Sequence, residues 1–339
     1  MTPAGKALAA GVLAVAGLLA WTIGRLAGGD GPRPGIPPSL KASAPDRAAE
    51  DAPPPSAPAE PDPEFGFLAP PPAVPAAAAD AGLPELETRD ASVRKLLADC
   101  DAAAAREADL VRAWEGYNTL LGMGLSAYDA RVVKARINLV TDRLLFAGAR
   151  ADRLDVLFAT HTVRSGERLT RIAAQHKIPW ELIVRMNGID PARLRVGQSL
   201  RVLPGPLTVV VYKGIYELDV LLDGKVLRAY AVGHGKNNCT PVGKWVVRSK
   251  MKNPQYTHPH TGERFPGGDP KNPVGTRYLA LEGTDETTRP LTGYAIHGTI
   301  EPDSIGTQSS LGCVRLGRED VEELYDLLTP GGTTVEIRP

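Results

Sequence analysis

The feature that most constrains this chain is a proline- and alanine-rich stretch that runs from residue 30 to residue 83. Proline removes a backbone donor, and the stretch has neither the helical nor the strand period of apolar residues, so it lacks the surface needed for a packed core. We predict a linker, which could reach ~170 Å as extended polyproline. The main folded part of the chain is therefore expected to begin near residue 84.

The N-terminal segment, residues 1–29, has the pattern of an export signal. Met1 to Lys6 forms a basic start, seventeen uncharged residues from Ala7 to Ile23 follow, and Arg25 comes next. At 1.5 Å per residue the uncharged run spans ~26 Å, slightly less than a ~30 Å hydrocarbon core. A cleaved signal peptide and a retained anchor both fit. We expect an exported protein in the periplasmic or cell-wall space, held to the membrane by residues 7–23.

The charge balance and the cysteine count exclude several classes of protein. Lysine and arginine total 39, as do aspartate and glutamate, so a general surface for nucleic acid is not expected. The three cysteines, Cys100, Cys239 and Cys313, are too few and too far apart for a disulfide framework or a two-pair zinc site. We expect neither a cofactor nor a metal.

From residue 84 to residue 158 the apolar residues recur with a helical period. Three sets follow this spacing: Val93, Leu97, Cys100 and Ala104; Leu110, Trp114, Tyr117 and Leu121; and Val133, Ile137, Val140 and Leu144. Ser126 precedes the third set and is a candidate N-cap. We predict three amphipathic helices that form an α-helical spacer or docking bundle, with Cys100 as an inert core thiol.

Residues 161–204 have the order strand, helix, helix, strand. They resemble the LysM family at Val163, Gly166, Glu167, Leu169, Ile172, Ala173, Ile178, Leu182, Asn187, Leu194, Gly197, Gln198, Leu200 and Val202. The resemblance implies a small α+β module with βααβ order, which binds glycan containing N-acetylglucosamine between loops near residues 166–169 and 188–194. A degenerate module that only packs remains the alternative. We expect His161 and His176 to be structural or solvated rather than ligands.

Residues 206–339 are predicted to form a mainly-β domain, so the fold class of the whole chain is multi-domain. The predicted strands span Leu207 to Tyr212, Tyr216 to Leu222, Val226 to Val232, Thr276 to Leu281, Tyr294 to His297 and Thr333 to Ile337, with a helix from Glu319 to Leu328. The first three strands are expected to be antiparallel, with a turn at Asp223-Gly224.

Two segments of this domain carry the candidate chemistry: Gly-Tyr-Ala-Ile-His-Gly-Thr at 293–299 and Ser-Ser-Leu-Gly-Cys-Val-Arg at 309–315. A thiol with its usual pKa of ~8.5 is little ionised at neutral pH, so a nucleophilic cysteine needs a base or positive surroundings. His297 could supply that base to Cys313. Gly312 would let the backbone turn and bring N–H donors close to an oxyanion.

With Thr-Pro-Val-Gly at 240–243, these segments resemble the YkuD-like L,D-transpeptidase family over the whole of residues 206–339. The resemblance implies a peptidoglycan acyltransferase that attacks the bond before the terminal D-Ala of a stem tetrapeptide and passes the acyl group to an amine. The residues to which it assigns roles are Cys313 as nucleophile, His297 as general base, Gly312 and Cys313 as backbone donors, and Ser310 and Arg315 as groups that order the loop and a substrate carboxylate. The implied partners are stem peptides and glycan strands.

Two functional alternatives stay open: an L,D-carboxypeptidase that passes the acyl group to water, and a LysM-anchored wall-binding scaffold with a spent catalytic domain. Papain-like and NlpC/P60-like peptidases place the cysteine before the histidine, whereas here His297 precedes Cys313. Leu311 departs from the polar residue common in the family, which puts a hydrogen bond from that side chain in doubt. We expect alkylating reagents to label Cys313 faster than Cys100 or Cys239.

Two further features of the domain lead to predictions. The proline- and glycine-rich stretch from Lys252 to Gly275 is predicted to be a lid over Cys313. On the preceding strand, Lys244, Arg248, Lys250 and Lys252 alternate with apolar residues and are predicted to share one face, with Trp245 and Val247 on the other.

Overall fold

The computed structural model describes residues 83–258 and 261–339. The predicted export segment, the predicted linker up to residue 82 and two residues of the predicted lid, 259 and 260, lie outside these ranges. Within the described ranges, no helix has both the length and the apolar character of a membrane span.

Three helices form the first described region, as the periodicity predicts: α1 (Ala91–Ala104), α2 (Leu110–Leu121) and α3 (Ala127–Leu145). The Ser126 hydroxyl caps α3 by accepting from the Asp129 N–H at 3.0 Å. Ala103 and Leu120 are buried, whereas the predicted Ala104 and Leu121 are only partly so. A 3.6-residue period alternates steps of three and four, and the sequence alone does not fix which step comes last.

The second region has the βααβ order of the LysM prediction. Strands β1 (Ala159–Thr162) and β2 (Ser199–Val202) pair antiparallel, and helices α4 (Leu169–His176) and α5 (Trp180–Asn187) lie between them in the chain. Asn187 ties α5 to β2, because its side chain accepts from the Arg201 N–H at 2.7 Å and donates to the Arg201 carbonyl at 2.8 Å.

The third region contains an eight-stranded sheet with the order β13-β11-β10-β7-β14-β3-β4-β5. Its strands are β3 (Thr208–Tyr212), β4 (Glu217–Leu222), β5 (Lys225–Ala231), β7 (Gly243–Lys252), β10 (Arg277–Gly283), β11 (Ala295–Gly298), β13 (Val314–Leu316) and β14 (Thr334–Arg338). Two small sheets accompany it: β6 (His234–Gly235) with β12 (Gln308–Ser310), and β8 (Tyr256–Thr257) with β9 (Arg264–Phe265). Helix α6 spans Arg318–Leu327.

The large sheet is mixed. The predicted antiparallel pairing holds for β3, β4 and β5, but β11 runs parallel to β13 and β14 runs parallel to β3. The last strand, β14, therefore inserts between β7 and β3 near the middle of the sheet. Strand order of this kind follows from long-range pairing, which local sequence patterns do not encode.

The prediction that the basic residues of β7 share one face is wrong. Ala280 pairs with Ser249 and Leu281 pairs with Val247, so Arg248 is an extra residue in a β-bulge. The bulge reverses the alternation, and Lys250, opposite buried Leu279, lies on the same face as Val247. The Lys250 ammonium then lies 4.3 Å from the centre of the Tyr325 ring on α6.

The helical region covers the open edge of the sheet, strand β5. Asn118 on α2 accepts from the Val226 N–H at 2.6 Å and donates to the Val226 carbonyl at 3.1 Å. Asn138 on α3 makes the same pair of bonds with Ala229, at 2.9 and 2.8 Å. These amides occupy backbone groups of β5 that a neighbouring strand would otherwise use.

The two faces of the sheet have different partners. Tyr278 and His297 are opposite each other across β10 and β11 and so point to the same face, whereas Arg277 points to the other and lies over Tyr325 of α6. The LysM region attaches to that second face, because Arg185 on α5 bonds Glu323 on α6 at 3.0 Å. The LysM contact and His297 are therefore on opposite faces of the sheet.

Candidate active site

Cys313 follows a tight turn between β12 and β13. The Ser310 hydroxyl donates to the Cys313 carbonyl at 2.7 Å and accepts from the Gly312 N–H at 3.1 Å. Gly312 has φ +133°, and a Cβ there would lie 2.9 Å from the Tyr294 ring. Glycine is required for both reasons, since the conformation and the space exclude a side chain.

The turn corrects one predicted role. The Gly312 N–H is engaged by Ser310 and is not a free oxyanion donor. Among the backbone hydrogen bonds of the described loops, none uses the Cys313 N–H. The Ser310 hydroxyl bonds both Gly312 and Cys313 and so holds the turn.

His297 lies on β11, next to β13, and is 5% exposed. Its Nδ1 is 2.6 Å from the Gly298 carbonyl oxygen. A carbonyl only accepts, so Nδ1 carries the hydrogen and Nε2 keeps a free lone pair. Burial lowers the pKa of His297 to about 4, which keeps the ring neutral at physiological pH.

The Cys313 thiol is also kept neutral. Burial raises its pKa, against the lowering effects of the Ala295 N–H and of the Arg315 charge. No hydrogen bond joins Cys313 to His297 among the described residues, and Sγ donates to the Gly293 carbonyl at 3.8 Å. The two side chains nevertheless project from the same region, since β11 and β13 are paired and Arg315 is in register with His297.

Arg315 lies beside both groups. Its Nη1 is 3.1 Å from Glu301 and 3.5 Å from the Ser309 hydroxyl, while its buried Nε has no hydrogen-bond partner. The guanidinium therefore orders the loop before Cys313, in agreement with one of the two predicted roles, and keeps one donor unused.

Two tyrosines complete the site, and sequence analysis missed both. The Tyr278 ring stacks on His297 with centres 6.1 Å apart. Burial, with a smaller contribution from Cys313, raises the pKa of Tyr278 to about 12, and the same two causes raise the pKa of Tyr256. Both hydroxyls thus lie within electrostatic reach of the sulfur. Only the pairing of strands shows that these two tyrosines belong to the site, and that pairing cannot be read from the sequence alone.

Tyr256 comes from the predicted lid, in which strands β8 and β9 pair as a short hairpin while most of the other described residues form turns or irregular structure. Tyr256 stacks on Phe265 within it, with ring centres 6.2 Å apart. The buried Asn272 amide donates to the Pro254 carbonyl at 2.7 Å and fixes the base of the hairpin.

The Thr-Pro-Val-Gly segment supports the turn from behind. The buried Thr240 hydroxyl donates to the Gly312 carbonyl at 2.8 Å and accepts from the Gly235 N–H at 2.8 Å. Cys239 is exposed nearby and Cys100 is buried in the helical region, where burial raises its pKa to about 11. Across residues 83–258 and 261–339, no cluster of three or more histidine, cysteine or carboxylate groups is arranged to hold a metal.

Comparison with known proteins matches two family models to the chain. The L,D-transpeptidase catalytic domain, YkuD, matches residues 207–337, and the LysM domain matches residues 161–203. Both agree with the resemblances read from the sequence.

Similar proteins carry the same family name. "Putative L,D-transpeptidase YqjB" of Bacillus subtilis (strain 168) is 38% identical over 40% of this chain and 73% of its own length. "Putative L,D-transpeptidase YkuD" of the same organism is 32% identical over 52% of this chain and 98% of its own. The chain belongs to the L,D-transpeptidase family.

One solved structure, L,D-transpeptidase 3 from Mycobacterium tuberculosis with a faropenem-derived adduct, is 21% identical. The match covers 42% of this chain and 66% of that chain, with a TM-score of 0.31, and carries no further weight.

Proposed function

We propose that the chain is a peptidoglycan L,D-transpeptidase in which Cys313 is the nucleophile and His297 the general base. The observation that carries this proposal is the Nδ1 bond from His297 to Gly298, beside β13, the strand that begins directly after Cys313. That bond leaves Nε2 as a proton acceptor on the face of the sheet where the thiol lies.

The proposed first step forms a thioester. Sγ of Cys313 attacks the carbonyl before the terminal D-Ala of a stem tetrapeptide, and the thiol proton passes to Nε2 of His297. The Cys313 N–H stabilises the oxyanion. Collapse expels D-Ala, whose amine takes the proton from His297, so the imidazole ends neutral, as it began.

The proposed second step breaks the thioester and transfers the acyl group to an amine. An acceptor amine attacks the thioester, His297 removes a proton from it, and the leaving sulfur of Cys313 takes that proton back. Arg315, with its unused Nε donor, is proposed to attract a carboxylate of the substrate. Gly312 contributes the backbone turn and Ser310 holds it.

The LysM and L,D-transpeptidase domains imply a cell-wall-related, extracytoplasmic protein. We propose working boundaries of 1–29 for an export segment or anchor, 30–83 for the linker, 84–158 for the helical region, 161–204 for LysM and 206–339 for the catalytic domain. Membrane attachment through residues 7–23 stays a prediction, because that run lies outside the described residues.

The experiment that tests the proposal supplies purified protein with a tetrapeptide donor and an acceptor amine. Mass spectrometry is expected to show a cross-linked dimer and released D-Ala, and Cys313→Ser is expected to yield neither. Well-oriented acceptors compete strongly with water, since effective molarities can reach ~10⁵ M. If tripeptide dominates with every acceptor, the protein is an L,D-carboxypeptidase instead.

The hairpin offers a second arm of that experiment. Burial and, second to it, Cys313 raise the pKa of Tyr256 in the predicted lid, so Tyr256→Ala should admit water and raise the ratio of tripeptide to dimer. Arg264→Gln, an exposed change in the same hairpin, is the matched control and should leave the ratio unchanged. An unchanged ratio in Tyr256→Ala would remove the lid from the mechanism.

A further inference from the structure

The arginines of the LysM region fall into two sets. Arg185 and Arg201 bind other regions of the chain: Arg185 bonds Glu323 on α6, and Arg201 donates to the Leu144 carbonyl at the end of α3 at 3.1 Å. The other five, which are exposed, we name the arginine rim: Arg164, Arg168, Arg171, Arg193 and Arg195. A local excess of this size stands out in a chain whose net charge is zero.

The rim comes from the loop before α4, the first turn of α4 and the loop before β2, and the two loops meet in space. Val163 donates to the Gln198 carbonyl at 2.9 Å, and Gly197 donates to the Val163 carbonyl at 2.8 Å. The segment that starts at Arg164 therefore lies against the segment that holds Arg193 and Arg195. These are also the segments near which the LysM resemblance puts the glycan groove.

The acidic residues of the same loops pair with only one arginine of the rim, Arg193. The Glu167 side chain is 7% exposed, and its carboxylate accepts from the Arg164 N–H at 2.8 Å and contacts His161 at 2.9 Å. Asp190 accepts from the Ala192 N–H and pairs with Arg193 at 3.3 Å. Among the described residues, no ion pair involves Arg164, Arg168, Arg171 or Arg195.

We propose that the arginine rim binds the free carboxylates of peptidoglycan stem peptides that flank the glycan held by the LysM groove. Guanidinium groups match carboxylates with two parallel hydrogen bonds, and a neutral sugar backbone alone gives no ionic partner to the four rim arginines that lack one. The inference rests on the proposed function in one respect, namely that the polymer is peptidoglycan.

The test uses full-length Cys313→Ser protein, so that no acyl transfer alters the polymer. Its retention is measured on three insoluble polymers: native peptidoglycan, peptidoglycan whose carboxylates have been amidated, and chitin, which is neutral. Native peptidoglycan should retain the protein best, and retention should fall as NaCl rises from about 50 to about 300 mM.

The rim variant adds Arg164→Gln, Arg168→Gln and Arg195→Gln. Each exposed ion pair contributes little, so the loss of three should lower the affinity for native peptidoglycan roughly tenfold, with no change on amidated peptidoglycan or chitin. The matched control removes three exposed arginines of the helical region, Arg89, Arg94 and Arg112, by the same change. It should bind like the parent.

Equal affinity of the rim variant and the parent for native peptidoglycan would overturn the proposal. So would an equal loss on native peptidoglycan and chitin, or stronger retention of the parent by phosphatidylglycerol vesicles than by native peptidoglycan. With Cys313 restored, the rim variant should turn over soluble tetrapeptide normally. Failure of that turnover in the unaltered enzyme would defeat the proposed function while leaving the binding result to stand.

Discussion

At the residue scale, Cys313, which is partly exposed, and His297, which is buried, are both held as neutral groups. Burial raises the pKa of Cys313 and lowers that of His297 to about 4, so thiol and imidazole, rather than thiolate and imidazolium, face the substrate at pH 7. Proton transfer must therefore accompany sulfur attack, and reaction with a reagent that cannot use the base should be slow.

The first prediction concerns pH. Because the His297 pKa is lowered from 6.5 to about 4, its base form persists down to that pH, and the acidic limb of the acyl-transfer profile should fall near pH 4 rather than 6.5. His297→Ala should slow acyl-enzyme formation by about 10²–10⁴-fold. The measurement is the rate of D-Ala release as a function of pH, with Cys239→Ser as the control.

Alkylation independently tests whether the Cys313 thiol is protonated. Iodoacetamide should label exposed Cys239 before Cys313, the reverse of the order expected from the motif alone, and labelling of Cys313 should rise with pH into the alkaline range. A plateau in Cys313 labelling from about pH 5 upward would indicate an ion pair and contradict this account.

The motif was sufficient to name Cys313 and His297 as candidates, because their chemistry is tied to neighbours in the chain. Tyr256 and Tyr278 were not readable in that way, since they reach the site through the pairing of β8 with β9 and of β10 with β11. The donor role of Gly312 was misassigned because its N–H is taken by the Ser310 hydroxyl, a contact that depends on the shape of the turn.

At the element scale, the contact of α2 and α3 with β5 gives the second prediction. Asn138→Ala leaves the Ala229 N–H and carbonyl without partners at the sheet edge, which should lower the free energy of unfolding by about 1–3 kcal/mol. Chemical denaturation measures the loss. Leu139→Ala, the exposed neighbour on α3, is the control and should change stability less.

The same variant should associate with itself. With Asn118→Ala added, two residues of β5 regain free backbone groups, and sedimentation velocity should detect oligomers that the parent does not form. If the double variant is less stable but stays monomeric, the helices prevent strand pairing at β5 even without the Asn118 and Asn138 side chains.

Element types were predictable where a period repeats, as in the three helices and the LysM module. Strand order and the bulge at Arg248 were not, because both depend on which strands become neighbours. The sequence pattern of β7 predicts a continuous alternation, and a single extra residue reverses it from Arg248 onward.

At the scale of the whole molecule, the LysM region is held to the catalytic domain by charge. Arg185 reaches Glu323 at 3.0 Å and Asp326 at 4.0 Å, and Lys250 reaches Glu181 at 3.5 Å. The Arg185 guanidinium also lies 3.8 Å from the centre of the Phe146 ring. One side chain thus contacts the helical region and the catalytic domain together.

The third prediction follows from this contact. Arg185→Glu would bring a negative charge to Glu323 and Asp326, so the LysM region should detach and the segment around residues 203–206 should become sensitive to proteases. Turnover of soluble tetrapeptide should persist, because the contact is on the face of the sheet opposite His297. Arg112→Glu, exposed on α2, is the control. Equal cleavage of both variants would show that the Arg185 ion pairs do not hold the LysM region in place.

The position of β14 affects the order in which the strands of the sheet pair during folding. Residues 334–338 lie between β7 and β3, so the sheet stays divided into two groups of strands until these residues have been synthesised and exported. Pairings that join distant parts of a chain form late and slowly, since the intervening loop must close first. Cys313 and His297 belong to one of those groups, and the covered edge strand β5 belongs to the other. The strands beside Cys313 and His297 and the strands next to β5 therefore become one sheet only when β14 has paired with both β7 and β3.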